Sequence, residues 1–343
     1  MDAMDCMNCM DRMDWGLGLG TLSAPSLAHA QKTGLFDVAA LSRQNVPCMS
    51  QPPNKSIVIV RALRVYQWPK NLLVLAALVF ARQLGDSAQV LCGLTALAAF
   101  CMAASATYLF NDILDVENDR AHPEKSKRPL PSGELSPAIA WIMAAVLLAG
   151  SVAVACAVRL EFLYALLFYV ALTVSYSLLL KRLIIIDVMA VAMGFVVRAI
   201  AGAIALDVVF SNWLVVCTLF LALFLALSKR RHEILLLDED AGGHRSVLFH
   251  YSVHYLDQLI LIMAGGALLT YTIYTCSPDV VRNFGTDKLY LTIPFVVYGL
   301  FRYLFLLHLR KEGGDPSSTL LKDWPLGLNV MAWALTCVII IYG

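Results

Sequence analysis

The chain has 343 residues, of which 59% are hydrophobic and 15% charged, and its mean hydropathy is +0.70. That balance excludes an ordinary water-soluble domain, in which about a quarter of residues carry charge. A net charge of +1 also excludes a global basic field for nucleic acid, so the position of charge says more than its total.

Residues 1–50 differ in character from the rest of the chain. Met recurs every third position from Met1 to Met13, and Asp is frequent. The segment is acidic where a signal peptide is basic, and Ala28-His29-Ala30 lacks a strong apolar run before it. Gly16, Gly18 and Gly20 have neither the spacing nor the strand context of a dinucleotide loop. A disordered tail is expected here, or a misassigned start with Met49 as the first residue. Residues 51–343 are expected to form one transmembrane domain. The nine cysteines are scattered, and only Cys6 and Cys9 form a C-x-x-C pair, without the further ligands of a zinc site.

Nine apolar spans are predicted, at about 66–82, 88–110, 136–157, 161–180, 183–205, 211–228, 256–275, 289–309 and 325–342. Lys and Arg divide between the two sets of connecting segments 19 to four, with Lys70, Arg198 and Arg302 inside spans. This asymmetry places the amino terminus in the cytoplasm and the carboxyl terminus outside.

The first span begins with Gln67-Trp68-Pro69-Lys70-Asn71, where Trp68 suits an interfacial anchor and Lys70 either snorkels or binds an anion. The second span ends in Asn111-Asp112-x-x-Asp115-x-x-x-Asp119. Steps of three and four residues put these oxygen-bearing side chains on one helical face. Like charges so arranged need a cation, and oxygen ligands in this number suit Mg²⁺, which commonly bridges to substrate phosphates. Asn111, Asp112, Asp115 and Asp119 are therefore the expected metal ligands. The loop behind them supplies Arg120, Lys125, Lys127 and Arg128, so acids for a metal precede bases for phosphate.

The fourth span ends at Tyr176 through Lys181-Arg182, and Asp187 follows in the fifth. Asp187 and Arg198 are eleven residues apart, about three turns, and are expected to face the same cavity. After the sixth span come Lys229, Arg230 and Arg231; the first two are expected anion ligands and the third a surface anchor. The next stretch, with Asp238, Glu239, Asp240, His244, Arg245, His250 and His254, reads as a lid or interfacial helix without a zinc motif.

These residues resemble the UbiA superfamily of intramembrane transferases. The resemblance rests on N-D-x-x-D-x-x-x-D at 111–119, Lys127-Arg128-Pro129, and Tyr176 to Lys181 with Asp187. It implies an all-α bundle of nine transmembrane helices whose central cavity opens to the cytoplasm and to lipid. Within the superfamily the chain looks closest to the decaprenyl-phosphate phosphoribosyltransferases. That likeness rests on Gln67 to Asn71, Gly194 to Gly202, Leu227 to Arg231 and Gly314-Asp315-Pro316. A second D-x-x-x-D is incomplete, because Val191 stands four residues after Asp187.

The resemblance implies Mg²⁺ as cofactor, phosphoribosyl diphosphate as donor and a polyprenyl phosphate lipid as acceptor. Asp112, Asp115, Asp119 and Asp187 are the implied catalytic acids. Lys70, Asn111, Arg128, Tyr176, Lys181, Arg182, Arg198, Lys229 and Arg230 are the implied substrate ligands. Two other readings stay open: transfer of a polyprenyl group from its diphosphate to an aromatic acceptor, and transport. The latter is disfavoured because the acids cluster at the membrane boundary and not at the midplane. A homo-oligomer also stays open.

Overall fold

In the computed structural model, residues 55–121, 125–209, 211–237, 251–309, 319 and 322–343 are described. The expected tail, residues 1–50, lies outside them, as does most of the expected lid. The described residues are helical and lie in one unit, Pro53–Gly343. A short helix, α1 (Lys55–Ala62), leads into a 3₁₀ segment, Val65–Leu75, that runs on as α2 (Ala76–Phe80). Then come α3 (Ser87–Leu114), α4 (Val116–Arg120), α5 (Pro137–Val158), α6 (Leu160–Leu178), α7 (Ile186–Leu206) and α8 (Asn212–Leu237). The chain closes with α9 (Val253–Cys276), α10 (Pro278–Phe284), α11 (Ile293–Leu309) and α12 (Trp324–Tyr342).

Among the described residues eight helices are long and apolar enough to cross a membrane. The first expected span, at about 66–82, falls on the shorter apolar segment Val65–Phe80. Pro69 lies inside it and has no N–H to donate, which favours the tighter 3₁₀ pitch over a regular α-helix. The 3₁₀ rise of ~2 Å per residue nevertheless gives the segment a length of about 30 Å, comparable to a hydrocarbon core.

Helix starts obey ordinary capping chemistry. Asp86 accepts from Ala88 N at 2.8 Å, and Ser136 stands ahead of Pro137 and accepts from Ile139 N. Ser252 caps α9, and Asp323 caps α12 through Leu326 N. The centre of the bundle is α3 and α7, whose buried faces are built from small residues such as Ala96, Ala99, Ala103, Ala192, Ala199 and Ala201. Small side chains let helices approach closely where lipid removes the hydrophobic drive between them. Large apolar side chains such as Leu91, Ile142, Phe168, Leu261, Phe301 and Met331 point outward instead, as a lipid-facing surface requires.

Candidate active site

The acidic motif does not ride on one uninterrupted helix. Asp115 leaves helical geometry (φ −96°, ψ 7°), and α4 begins after it. The backbone ladder still bridges the break, with Asp115 N donating to Asn111 O at 3.0 Å and Asp119 N to Asp115 O at 2.8 Å. The result is two groups of acids. Arg128 Nη1 donates to Asp119 Oδ2 at 2.6 Å and to Asp112 Oδ1 at 3.3 Å. Arg64 Nη2 also donates to Asp112 Oδ1. Asp115 turns the other way and accepts from Lys181 Nζ on both oxygens, at 2.8 and 3.0 Å. Lys125 Nζ lies 4.0 Å from Asp119 Oδ1.

Two buried carboxylates thus converge on one cationic nitrogen. Among the described residues no three acidic, His or Cys side chains converge closely enough to hold a metal unaided. Asp112 and Asp119 suit two positions of a Mg²⁺ ion, which characteristically completes its octahedron with water and phosphate oxygens. Of the four expected ligands, Asp115 is engaged by Lys181, and Asn111 is half-buried beside the cluster.

The second constellation is a closed network. Asp187 is fully buried and accepts from Arg230 Nε at 2.8 Å and from the Tyr251 hydroxyl at 3.0 Å. Arg230 donates from Nη2 to Tyr176 Oη at 3.0 Å and from Nη1 to Glu233 Oε2 at 2.5 Å. Tyr251 Oη also accepts from Ile185 N at 2.6 Å, where the Ile185 backbone takes an unusual positive φ of 68°. Burial, and then the Asp187 carboxylate, push the Tyr251 phenol up to about 12, so it remains a donor at neutral pH.

Arg198 belongs to neither group. It lies ~16 Å along α7 from Asp187 at 1.5 Å per residue. Its Nε donates to Asn71 Oδ1, its Nη1 to Gly194 O and its Nη2 to Tyr169 Oη, each at 2.8 Å. The guanidinium also lies over the Tyr169 ring, 4.6 Å from its centroid. Arg198, expected to face the same cavity as Asp187, holds the 3₁₀ segment against α7 through these bonds.

That segment runs antiparallel to α3. Arg64 meets Asp112, Trp68 Nε1 donates to Ser105 Oγ at 3.1 Å, and Asn71 Nδ2 contacts Cys101 Sγ at 3.4 Å. It connects the acidic end to an apolar cavity of about 500 Å³. Pro69, Lys70 and Leu73 line one wall of this cavity, with Phe195, Tyr271, Tyr303 and Trp333 on others. Lys70 Nζ donates to Gln67 Oε1.

Of the remaining expected ligands, Arg182 and Lys229 are exposed. Arg231, expected at the surface, is buried: its Nε donates to Asp257 Oδ1 at 2.5 Å and its Nη1 to Leu307 O at 3.2 Å. Successive positions on α8 point ~100° apart, so neighbouring bases cannot share one role. Arg64 and Tyr251 were not singled out by the sequence. Arg64 lies three residues before Gln67, among charges that orientation alone explains, and Tyr251 carries no motif.

Residues 71–340 match the UbiA prenyltransferase family. The chain belongs to that family. It is thus an integral membrane transferase. Among UbiA relatives, the decaprenyl-phosphate phosphoribosyltransferase of Mycolicibacterium smegmatis is 32% identical over 318 residues, covering 90% of this chain and 99% of the relative. The protein of the same name from Corynebacterium glutamicum is 32% identical over 309 residues, covering 85% and 89%. The fold is similar to a UbiA homolog from Archaeoglobus fulgidus bound to GPP and Mg²⁺, with a TM-score of 0.64 at 19% identity. The match covers 83% of this chain and 100% of that one.

Proposed function

We propose that this UbiA-family protein is a Mg²⁺-dependent transferase that moves a phosphoribosyl group from phosphoribosyl diphosphate to a polyprenyl phosphate lipid, releasing diphosphate. The observation that carries this reading is the interleaving of acids and bases at the end of α3, where Asp112 and Asp119 share Arg128 and Asp115 holds Lys181. The names of the relatives support the sugar donor over a prenyl donor.

Asp112 and Asp119 would hold Mg²⁺, which when bound would neutralise charge on the leaving diphosphate. Arg128 and Lys181 orient the diphosphate and stabilise the same charge. The bond between the anomeric ribose carbon and the diphosphate oxygen breaks, and its electron pair leaves with the diphosphate. An oxygen of the lipid phosphate supplies the pair for the new bond. That oxygen is already anionic, so no general base is required. The 500 Å³ cavity takes the apolar part of the lipid nearest the phosphate, and the rest of the tail lies in the bilayer. The excess of basic residues in one set of loops supports a site on the cytoplasmic side.

The test compares two substrate pairs on the purified protein in detergent. Radiolabelled phosphoribosyl diphosphate with a polyprenyl phosphate should give a labelled lipid, and EDTA should abolish it. Product only from polyprenyl diphosphate with an aromatic acid would overturn the reading.

A further inference from the structure

The arginines of this protein fall into two kinds. In Arg198 and Arg230 the Nε, Nη1 and Nη2 atoms all donate to protein acceptors. Every guanidinium nitrogen of these two is engaged by protein. Arg64 and Arg128 are different. Arg64 uses Nη2 alone, on Asp112 Oδ1, and Arg128 uses Nη1 alone, on Asp112 and Asp119. Among the described residues the Nε and remaining Nη of both arginines meet no protein acceptor.

An arginine carries five N–H donors in a fixed fork, and a half-used fork pointing from a shielded site suits a bidentate anion. Arg64 is shielded, with only 14% of its side chain exposed, and is steadied by the Tyr108 ring 5.1 Å from its guanidinium carbon. Its backbone is left-handed (φ 51°), a region that side chains with a Cβ rarely adopt. Among the described residues, three acids at this helix end are in ion-pair contact with four bases: Arg64, Lys125, Arg128 and Lys181.

We propose that Arg64 is a direct ligand of the donor's diphosphate and forms a two-arginine clamp with Arg128 across Asp112. The inference rests on the phosphoribosyl-transfer reading and extends its site to the segment before the first span. The same segment carries Lys70 to the apolar cavity, so the diphosphate and the lipid are aligned by one stretch of chain.

Calorimetric titration of the full-length protein in detergent with inorganic pyrophosphate and Mg²⁺ tests this. Arg64→Gln should weaken pyrophosphate binding about ten-fold or more, the loss of a charge-assisted bidentate contact. Arg64→Lys should fall between the two, because it keeps the charge and loses the fork. Arg159→Gln, which alters an arginine at the opposite end of α6 from Tyr176, paired with Glu161 and Asp207, should leave binding unchanged. Thermal unfolding is measured in parallel, and if Arg64→Gln does not fold, Arg64→Lys decides. Wild-type affinity in a folded Arg64 variant overturns the inference alone. So does a variant that weakens only the binding of geranyl monophosphate, which would assign Arg64 to the acceptor. A wild-type protein that binds no pyrophosphate overturns the phosphoribosyl-transfer reading together with it.

Discussion

The carbonyl oxygen of Val74 lies 1.9 Å from the point where a Cβ on Gly202 would stand. The 3₁₀ segment and α7 are therefore in backbone contact, fastened a turn away by Asn71 and Arg198. Everything that the segment positions, from Arg64 to Lys70, depends on this approach.

Gly202→Ala should push the segment off α7. Overpacking against backbone, which cannot rotate aside, is expected to cost about 1–3 kcal/mol. Thermal unfolding in detergent measures it, and an unchanged midpoint would show that the two backbones are not in contact.

Arg198→Ala should act on stability more than on chemistry. It strands the buried groups of Asn71 and Tyr169 and leaves a cavity, a loss of about 2–4 kcal/mol. Arg198→Lys should not rescue it, because one ammonium cannot reach three separated acceptors. A stable Arg198→Ala protein with raised KM for either substrate would return Arg198 to the substrate site.

Asp112→Asn should lower kcat about a hundred-fold or more while the protein still folds and inserts, as should Asp119→Asn. Turnover retained at saturating Mg²⁺ would argue against both as metal ligands. Asp115→Asn is expected to act through Lys181, and its defect should be matched by Lys181→Gln without further loss in the double variant.

Tyr251→Phe removes one hydroxyl that serves both Asp187 and Ile185 N, and should cost about 1–2 kcal/mol at neutral pH. The sign of its pH dependence comes from the phenol, which is raised from about 10 to about 12 on folding. The contribution is fully present below about 10 and is lost as pH rises towards about 12. The gap in unfolding midpoint between wild type and variant should therefore close above pH 10. A gap that stays constant to pH 12 would mean that the phenol is not shielded.

The membrane class, eight of the spans and the acidic helix end are determined by local sequence. Apolar runs of bilayer length, facial spacing at three and four residues, and the partition of Lys and Arg each act within one element or its flanks. The first span differed: Val65–Phe80 is a shorter apolar segment, in which Pro69 favours the 3₁₀ pitch. The division of labour among the cationic side chains was not legible in the same way. Arg64, Arg128, Arg198, Arg230 and Arg231 read alike in one dimension. Only tertiary structure decides how much of each guanidinium is committed to protein, because many of the partners lie on other helices, up to 127 positions away in the chain. Tyr251 and Asp187, 64 positions apart, make the same point: hydrogen-bond satisfaction is a property of the packed bundle, whereas hydropathy is a property of the segment.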